Sequence, residues 1–205
     1  MAVTATALAG TGEQIHLTAA GKAAARVAVV TKRDLGAKAM WTGGTIKPEI
    51  TPVDCTDFHP KVSDLVINGM AETGFAAKSS PPLQIYSLSE VLATPKMVRL
   101  DWQRTAGSPG EIACLGTLVA SHFSRSRFLA IHRLDLPHIG THTAAWRAEL
   151  LQTTGPQLHF IYDLVEITHG RTEISLTITA PISYATAISA RESRIGAALY
   201  ARARA

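Results

Sequence analysis

The densest set of groups able to move a proton or hold a metal lies in one short segment, His132-Arg133-Leu134-Asp135-Leu136-Pro137-His138-Ile139-Gly140-Thr141-His142. Imidazole nitrogens and a carboxylate are the donors that zinc-type sites and general acid–base pairs use. The spacing restricts them. On an extended strand His132 and Asp135 face opposite sides of a sheet, and Pro137 with Gly140 breaks any helix that would align His138 with His142. A hairpin loop is the arrangement left to bring His138 and His142 together. A second polar cluster, Asp54-Cys55-Thr56-Asp57-Phe58-His59, offers Asp57 and His59 for the same chemistry. The tendency of short polar side chains to bond their own backbone in turns already accounts for Asp54, Thr56 and Asp57.

Other chemistries lack their residues. The chain has no G-x-S-x-G elbow, no G-x-x-x-x-G-K-[ST] loop and no H-E-x-x-H, and Gly10-Thr11-Gly12 lacks the third glycine of a dinucleotide loop. No cofactor is expected, and the balance favours binding over catalysis. Trp41 and Trp102 read as core or loop anchors rather than stacking platforms. Cys55 and Cys114 belong to no C-x-x-C pair, which argues against thioredoxin-like redox chemistry and cysteine zinc sites. Cys114 falls off the stripe Ile112, Leu115, Val119 and Phe123 of a helix opening at Ser108-Pro109-Gly110-Glu111, with Ser108 as cap and Glu111 closing a capping box. There it can face the loop that holds Cys55, so a Cys55–Cys114 disulfide is expected.

The elements that must position these groups follow from periodicity. Thr18 caps a helix running to about Val30, with Ala24, Val27 and Ala28 facing inward, and a turn ends at Gly36. Residues 36–61 read as a long loop tied down at Trp41 and Cys55. Val62–Ala76 is extended, and Leu83–Tyr86 is a short strand leading to Ser87-x-x-Glu90, a capping box for a helix bearing Val91, Pro95, Val98 and Trp102. Pro95 is expected to kink that helix or mark its first turn. Period-two alternation then marks strands at Arg127–Leu136, Thr143–Leu150, Leu158–Ile167 and Arg171–Ala180, with His169-Gly170 as a tight turn. The last helix is read from Ser189-x-x-Glu192, with Arg191, Arg194 and Arg202 flanking Ile188, Ile195 and Leu199. Strands joined by short turns are antiparallel. The expected fold is α+β: one domain over 15–205, an antiparallel sheet of five to six strands, and helices on its apolar face.

Composition bounds the function. With 205 residues, 46% of them apolar and 18% charged, the chain is long enough to bury its own core and too apolar for disorder. A formal charge of +4 without a basic nucleic-acid motif argues against a nucleic-acid partner. No run reaches the length of a membrane span. Residues 1–14 are small and uncharged until Glu13 and contain Ala7-Leu8-Ala9, of the A-x-A form of a signal-peptidase site. They read as the remnant of an export signal, or otherwise as a flexible Ala/Thr terminus. With a disulfide, that points to an extracytoplasmic location.

The alanine-rich helix Ala19–Val30 running into Arg33-Asp34-Leu35-Gly36, then Trp41, the Cys55 loop, and Met97-Val98-Arg99-Leu100-Asp101-Trp102 before Cys114 together resemble exported actinobacterial proteins of unknown activity. Their order is also similar to the extracellular sensor domains of mycobacterial serine/threonine kinases. The resemblance implies a disulfide-bonded α+β fold with a sheet-lined cleft and no established catalysis. This chain departs from it in having two cysteines and no kinase or membrane segment. The leading expectation is an exported, non-catalytic module that binds a small molecule, an envelope component or a protein, with its pocket between the sheet and the 36–61 loop. The alternatives are a metal-dependent or acid–base enzyme using His132–His142, and an assembly protein using a free edge at Leu83–Tyr86.

Overall fold

Alternation of buried and polar residues builds a large central sheet. The computed structural model describes residues 7–9, 12–48, 50–52, 55–79 and 83–204. The strands are β1 (Ala7–Ala9), β2 (Gln14–Ile15), β3 (Trp41–Ile46), β4 (Ile50–Pro52), β5 (Val66–Ala77), β6 (Gln84–Leu92), β7 (Ser126–Arg133), β8 (His142–Gln152), β9 (His159–His169) and β10 (Thr172–Pro181). The helices are α1 (Ala19–Val27), α2 (Pro95–Arg104), α3 (Glu111–His122) and α4 (Ala185–Arg204). The main sheet has eight strands in the order β2-β5-β6-β10-β9-β8-β7, with β3 beside β5 on the same edge as β2. All its pairings are antiparallel except β2 with β5. β1 and β4 form a separate parallel pair. No helix among the described residues is long and apolar enough to cross a membrane.

The α+β class stands, but the sheet is larger than expected, mixed, and covered on both faces. One face of β9 and β10 carries Ile161, Val165, Ile167, Ile174, Leu176 and Ile178, which bury Ile188, Ile195 and Leu199 of α4. α1 lies on this side, with Ala25 packed on Ala71 and Val91. Gly21 of α1 meets Asn68 and Gly69 of β5 backbone to backbone: a Cβ on Gly21 would overlap the Asn68 carbonyl and one on Gly69 would overlap that of Gly21, so the helix lies close on the strand. Leu164 and Trp146 point to the opposite face and pack against Ala106 and Leu115 from the α2–α3 layer. The basic residues beside the α4 stripe serve as anchors. Arg202 donates to the carbonyls of Val27 (2.7 Å) and Val29 (2.9 Å) and to both carboxylate oxygens of Asp34 (2.8 and 3.1 Å). Burial pushes the Asp34 carboxyl up, but the bonds from Arg202 and Thr31 outweigh it and hold it below its usual value. Replacing Arg202→Ala is expected to cost about 1–2 kcal/mol and lower Tm by a few degrees, measured by calorimetry.

Several local expectations fail, each for a physical reason. Segment 36–61 is not a plain loop: it forms β3 and β4, because Trp41 is buried beside Phe75 and its strand pairs with β5. Leu83–Tyr86 is no free edge, since β6 runs on to Leu92 and lies between β5 and β10. Ser87 and Glu90 are therefore strand residues. α2 is capped instead by Thr94, which accepts from the Met97 N–H at 3.2 Å, and Pro95 occupies its first turn. Ser189 and Glu192 lie inside α4, not at its start. Val27 and Ile112 face outward, while Gly21 and Glu111 are buried in their place. Of the segment read as an export remnant, residues 1–6 and 10–11 lie outside the described residues, and Asp54 does too; Ala7–Ala9 pair with Ile50–Pro52. The Cys55–Cys114 disulfide is present, with Cα atoms 5.6 Å apart and both residues buried.

Candidate functional site

The period of two decides which side chains meet beneath α2 and α3. On β9 the residues sharing a face with Leu164 are Glu166 and Thr168; on β10 they are Glu173 and Ser175. The two-residue turn at Gly170, whose φ of 57° suits a glycine in the first loop position, sets the register that places Glu173 beside Thr168 and Ser175 beside Glu166. On the other flank of β10, Glu173 lies opposite Glu90 of β6, and Thr168 lies opposite His142 of β8. One row across the sheet thus reads Glu90, Glu173, Thr168, His142. The layer above contributes Asp101 and Trp102 from α2 and Glu111 from the first turn of α3. Glu90, Glu173 and Thr168 of the row, with Asp101, Trp102 and Glu111, line a cavity of about 30 Å³, and Thr105, Ala106, Glu166 and Ser175 complete its wall.

A sheet face that would ordinarily pack against helices with apolar side chains is therefore covered by acids. Glu111 and Thr168 are each 3% exposed, and Glu90, Asp101, Glu166 and Glu173 are half-buried. Burial raises all five lining carboxyls. Glu90 is pushed to about 8, with Asp101 and Glu72 adding repulsion, and Glu111 to about 8, where Arg133 offsets part of the effect. Asp101 rises to about 6 by burial, held back by a hydrogen bond from Glu173 and by Arg104. Glu166 and Glu173 lie well above the usual carboxyl range, although Ser175 donates to Glu166 at 2.9 Å. The hydrogen bond between Glu173 and Asp101 raises the first and lowers the second. Glu13 enters from the N-terminal side and is pushed to about 9 by burial and by Glu90 and Asp101.

Four oxygens on four elements lack a hydrogen-bond partner: Glu90 Oε1, Asp101 Oδ1, Glu111 Oε1 and Thr168 Oγ1. Buried polar atoms are nearly always paired, so four together around one cavity mark it as more than packing. Neither of the nearest cations lines it. Arg104 is held by Asp64 at 2.6 and 3.1 Å and by the Lys61 carbonyl, and Arg133 sits 5.8 Å over the Trp146 ring. The aromatic wall is Trp102, stacked on His142 with ring centroids 5.0 Å apart and planes 16° from parallel.

Of the residues singled out in the sequence, His142 alone reaches this row. His132, Asp135 and His138 are exposed on β7 and the segment after it, and Asp57 and His59 are exposed in the turn at Cys55, where His59 Nε2 lies 3.2 Å from the Thr56 carbonyl. Among the described residues no group of three or more His, Cys, Asp or Glu side chains is placed to hold a metal ion. The sequence reading missed Glu90, Asp101, Glu111, Glu166 and Glu173. For the last two the signal was present in the alternation about the His169-Gly170 turn, which puts both acids on one face.

Two other features stand outside the cleft. On the α4 side, Arg147 makes a two-pronged bond to Asp163 (2.8 and 2.5 Å) and reaches Ser189 and the Ala185 carbonyl. Glu192 beside them is pushed to about 9 by burial and by Asp163. Among several larger cavities, one of about 390 Å³ lies between Leu35, Met40 and Trp41, Leu83 by the sheet, and Ile188 of α4. Compared with known proteins, the chain matches no family model, and no curated protein matches it significantly.

Proposed function

We propose that this chain is an exported, non-catalytic binding module whose ligand site is the carboxyl-lined cleft between the sheet and the α2–α3 layer. The observation that carries this reading is the pair Glu111 and Thr168, each 3% exposed and each presenting an unpartnered oxygen to one cavity. Burying such groups without partners costs stability, and a bound group that donates to them recovers it. Catalysis on a bulky substrate is disfavoured by size: about 30 Å³ admits one water-sized group, far less than a sugar ring or a peptide. Export is supported by the Cys55–Cys114 bridge, because such bonds persist in oxidising compartments.

A thermal-shift screen of small charged and neutral compounds tests this, since a ligand that favours the folded state must raise Tm. At least one class is expected to raise Tm of the wild type and to lose that effect in the Glu111→Gln, Thr168→Val double variant. A screen in which every stabilising compound acts equally on both proteins would contradict it. One observation favours an acid–base reading of the 132–142 segment, namely that His142 stands in the cleft row. That reading expects a turnover that falls at least tenfold in His142→Gln.

A further inference from the structure

We infer that the cleft recognises the protonated primary amine of a small molecule, the ammonium group entering the cavity beside Trp102 while the rest of the ligand stays outside. This rests on the reading of the cleft as the ligand site and adds the chemistry of what binds there.

The inference follows from what the cavity offers and what it lacks. Its unpartnered oxygens, on Glu90, Asp101, Glu111 and Thr168, come from four different elements in both layers, and all four can accept once the carboxyls give up their protons. An ammonium group supplies three N–H donors and a positive charge, the complement of that set. No lysine or arginine lines the cavity. Its volume of about 30 Å³ fits a group the size of one water molecule, which an –NH₃⁺ is and a guanidinium or sugar is not. Trp102 also lines the cavity and gives it an aromatic wall. A bare metal fits less well. It draws its oxygens to about 2.0–2.6 Å, whereas an ammonium donates to them at about 2.8 Å. No group of three ligands among the described residues is close enough for a metal.

Binding must depend on pH, because the same carboxyls bind protons. Facing the cavity from the sheet are Glu90, Glu173 and Glu166, with Glu72 of β5 acting on Glu90 and His142 behind Trp102, outside the lining. From the helical layer come Asp101 and Glu111, with Arg104 and Arg133 acting from outside, and Glu13 closes the N-terminal side. An entering ammonium displaces protons from this set, so affinity rises from pH 6 to pH 8 and each binding event releases protons to buffer.

The test is calorimetric titration of the full chain at pH 6 and pH 8, in two buffers of different ionisation heat. The probes are methylammonium, 1,4-diaminobutane, tetramethylammonium, calcium chloride and glycerol. The expected result is that both primary amines bind at least tenfold more tightly than tetramethylammonium, which has the charge but no N–H. Affinity should increase with pH, proton release should show in the buffer dependence, and Glu111→Gln and Glu90→Gln should each weaken amine binding at least tenfold. Equal Tm of variants and wild type at pH 5 establishes that they fold. If calcium or glycerol binds and the variants reduce that binding while the amines are unaffected, the amine assignment is overturned and the cleft remains the ligand site. If neither variant alters the binding of any probe, both readings fall.

Discussion

Raising the pH from 5 to 9 is expected to lower Tm of this protein by about 10 °C or more. The direction follows from the sign of the shifts. Glu13, Glu90, Asp101, Glu111, Glu166, Glu173 and Glu192 all have folded-state values above their unfolded ones. Such groups contribute stability that is fully present below the unfolded value and is lost as the pH rises through the folded one. That window runs from 3.8, the ordinary value of Asp101, to about 9 for Glu13 and Glu192. Glu111 is the clearest single contributor, being 3% exposed and pushed from 4.5 to about 8. Between those limits one such carboxyl accounts for at most about 5 kcal/mol, and each kcal/mol moves Tm by about 2–4 °C at this chain length. The variant Glu111→Gln removes the ionisation while keeping the shape. It should match the wild type near pH 5 and exceed it by several degrees at pH 9. A scanning-calorimetry profile that is flat or rises over this range in the wild type would show that the cleft acids are ionised and solvated.

The second large effect belongs to the disulfide. Replacing Cys55 and Cys114 by serine is expected to lower Tm by about 10 °C, again read by calorimetry, with reduction of the wild type giving a similar fall. Closing a loop with a sequence separation of 59 removes chain entropy from the unfolded state worth roughly 4 kcal/mol. The bridge is buried with Phe58 and Leu118 packed on it, so the serine hydroxyls would also enter an apolar pocket. It ties the turn at Cys55–Phe58 to α3 three residues past Glu111. The same bond therefore fixes the helix turn that carries a cleft carboxyl. A change of less than about 2 °C would mean the turn is held by packing alone.

Much of the scaffold was legible in local chemistry. The Thr18 cap, the His169-Gly170 turn, the cysteine pairing and the basic flank of α4 all follow from rules that need only a few neighbouring residues, and the structure bears them out. The cleft was hidden by one of those same rules. Ser87-x-x-Glu90, Ser108-x-x-Glu111 and Ser189-x-x-Glu192 each match a capping box, yet in each the glutamate is drawn into the interior. The pattern fixes a spacing, while the fate of the acid depends on what lies across the sheet, which sequence spacing does not encode. Glu90 is kept in a strand because Ile85 and Leu88 on either face of β6 are fully buried. Glu111 turns inward because the start of α3 faces the α2–β9 cleft and Ile112 takes the solvent side. The histidine segment drew attention by its density, but density along the chain is not convergence in space. His132 pairs with Arg147 on the outermost strand β7 and stays exposed, His138 lies in the irregular segment with Pro137 and Gly140, and His142, where β8 begins, is set opposite Thr168. The sheet was undercounted because Trp41–Ile46, rich in glycine and threonine, pairs through its backbone with little apolar alternation of its own.

The most direct test of the cleft is a ¹³C titration of its Asp and Glu carboxyl carbons, followed from pH 3 to pH 10 with and without 1,4-diaminobutane. The account predicts a group of signals with midpoints above pH 6 in the free protein. Glu111→Gln should delete one of them, and the amine should move the rest downward. Carboxyls that all titrate between about pH 3 and 5, or elevated midpoints that the amine leaves in place, would contradict it.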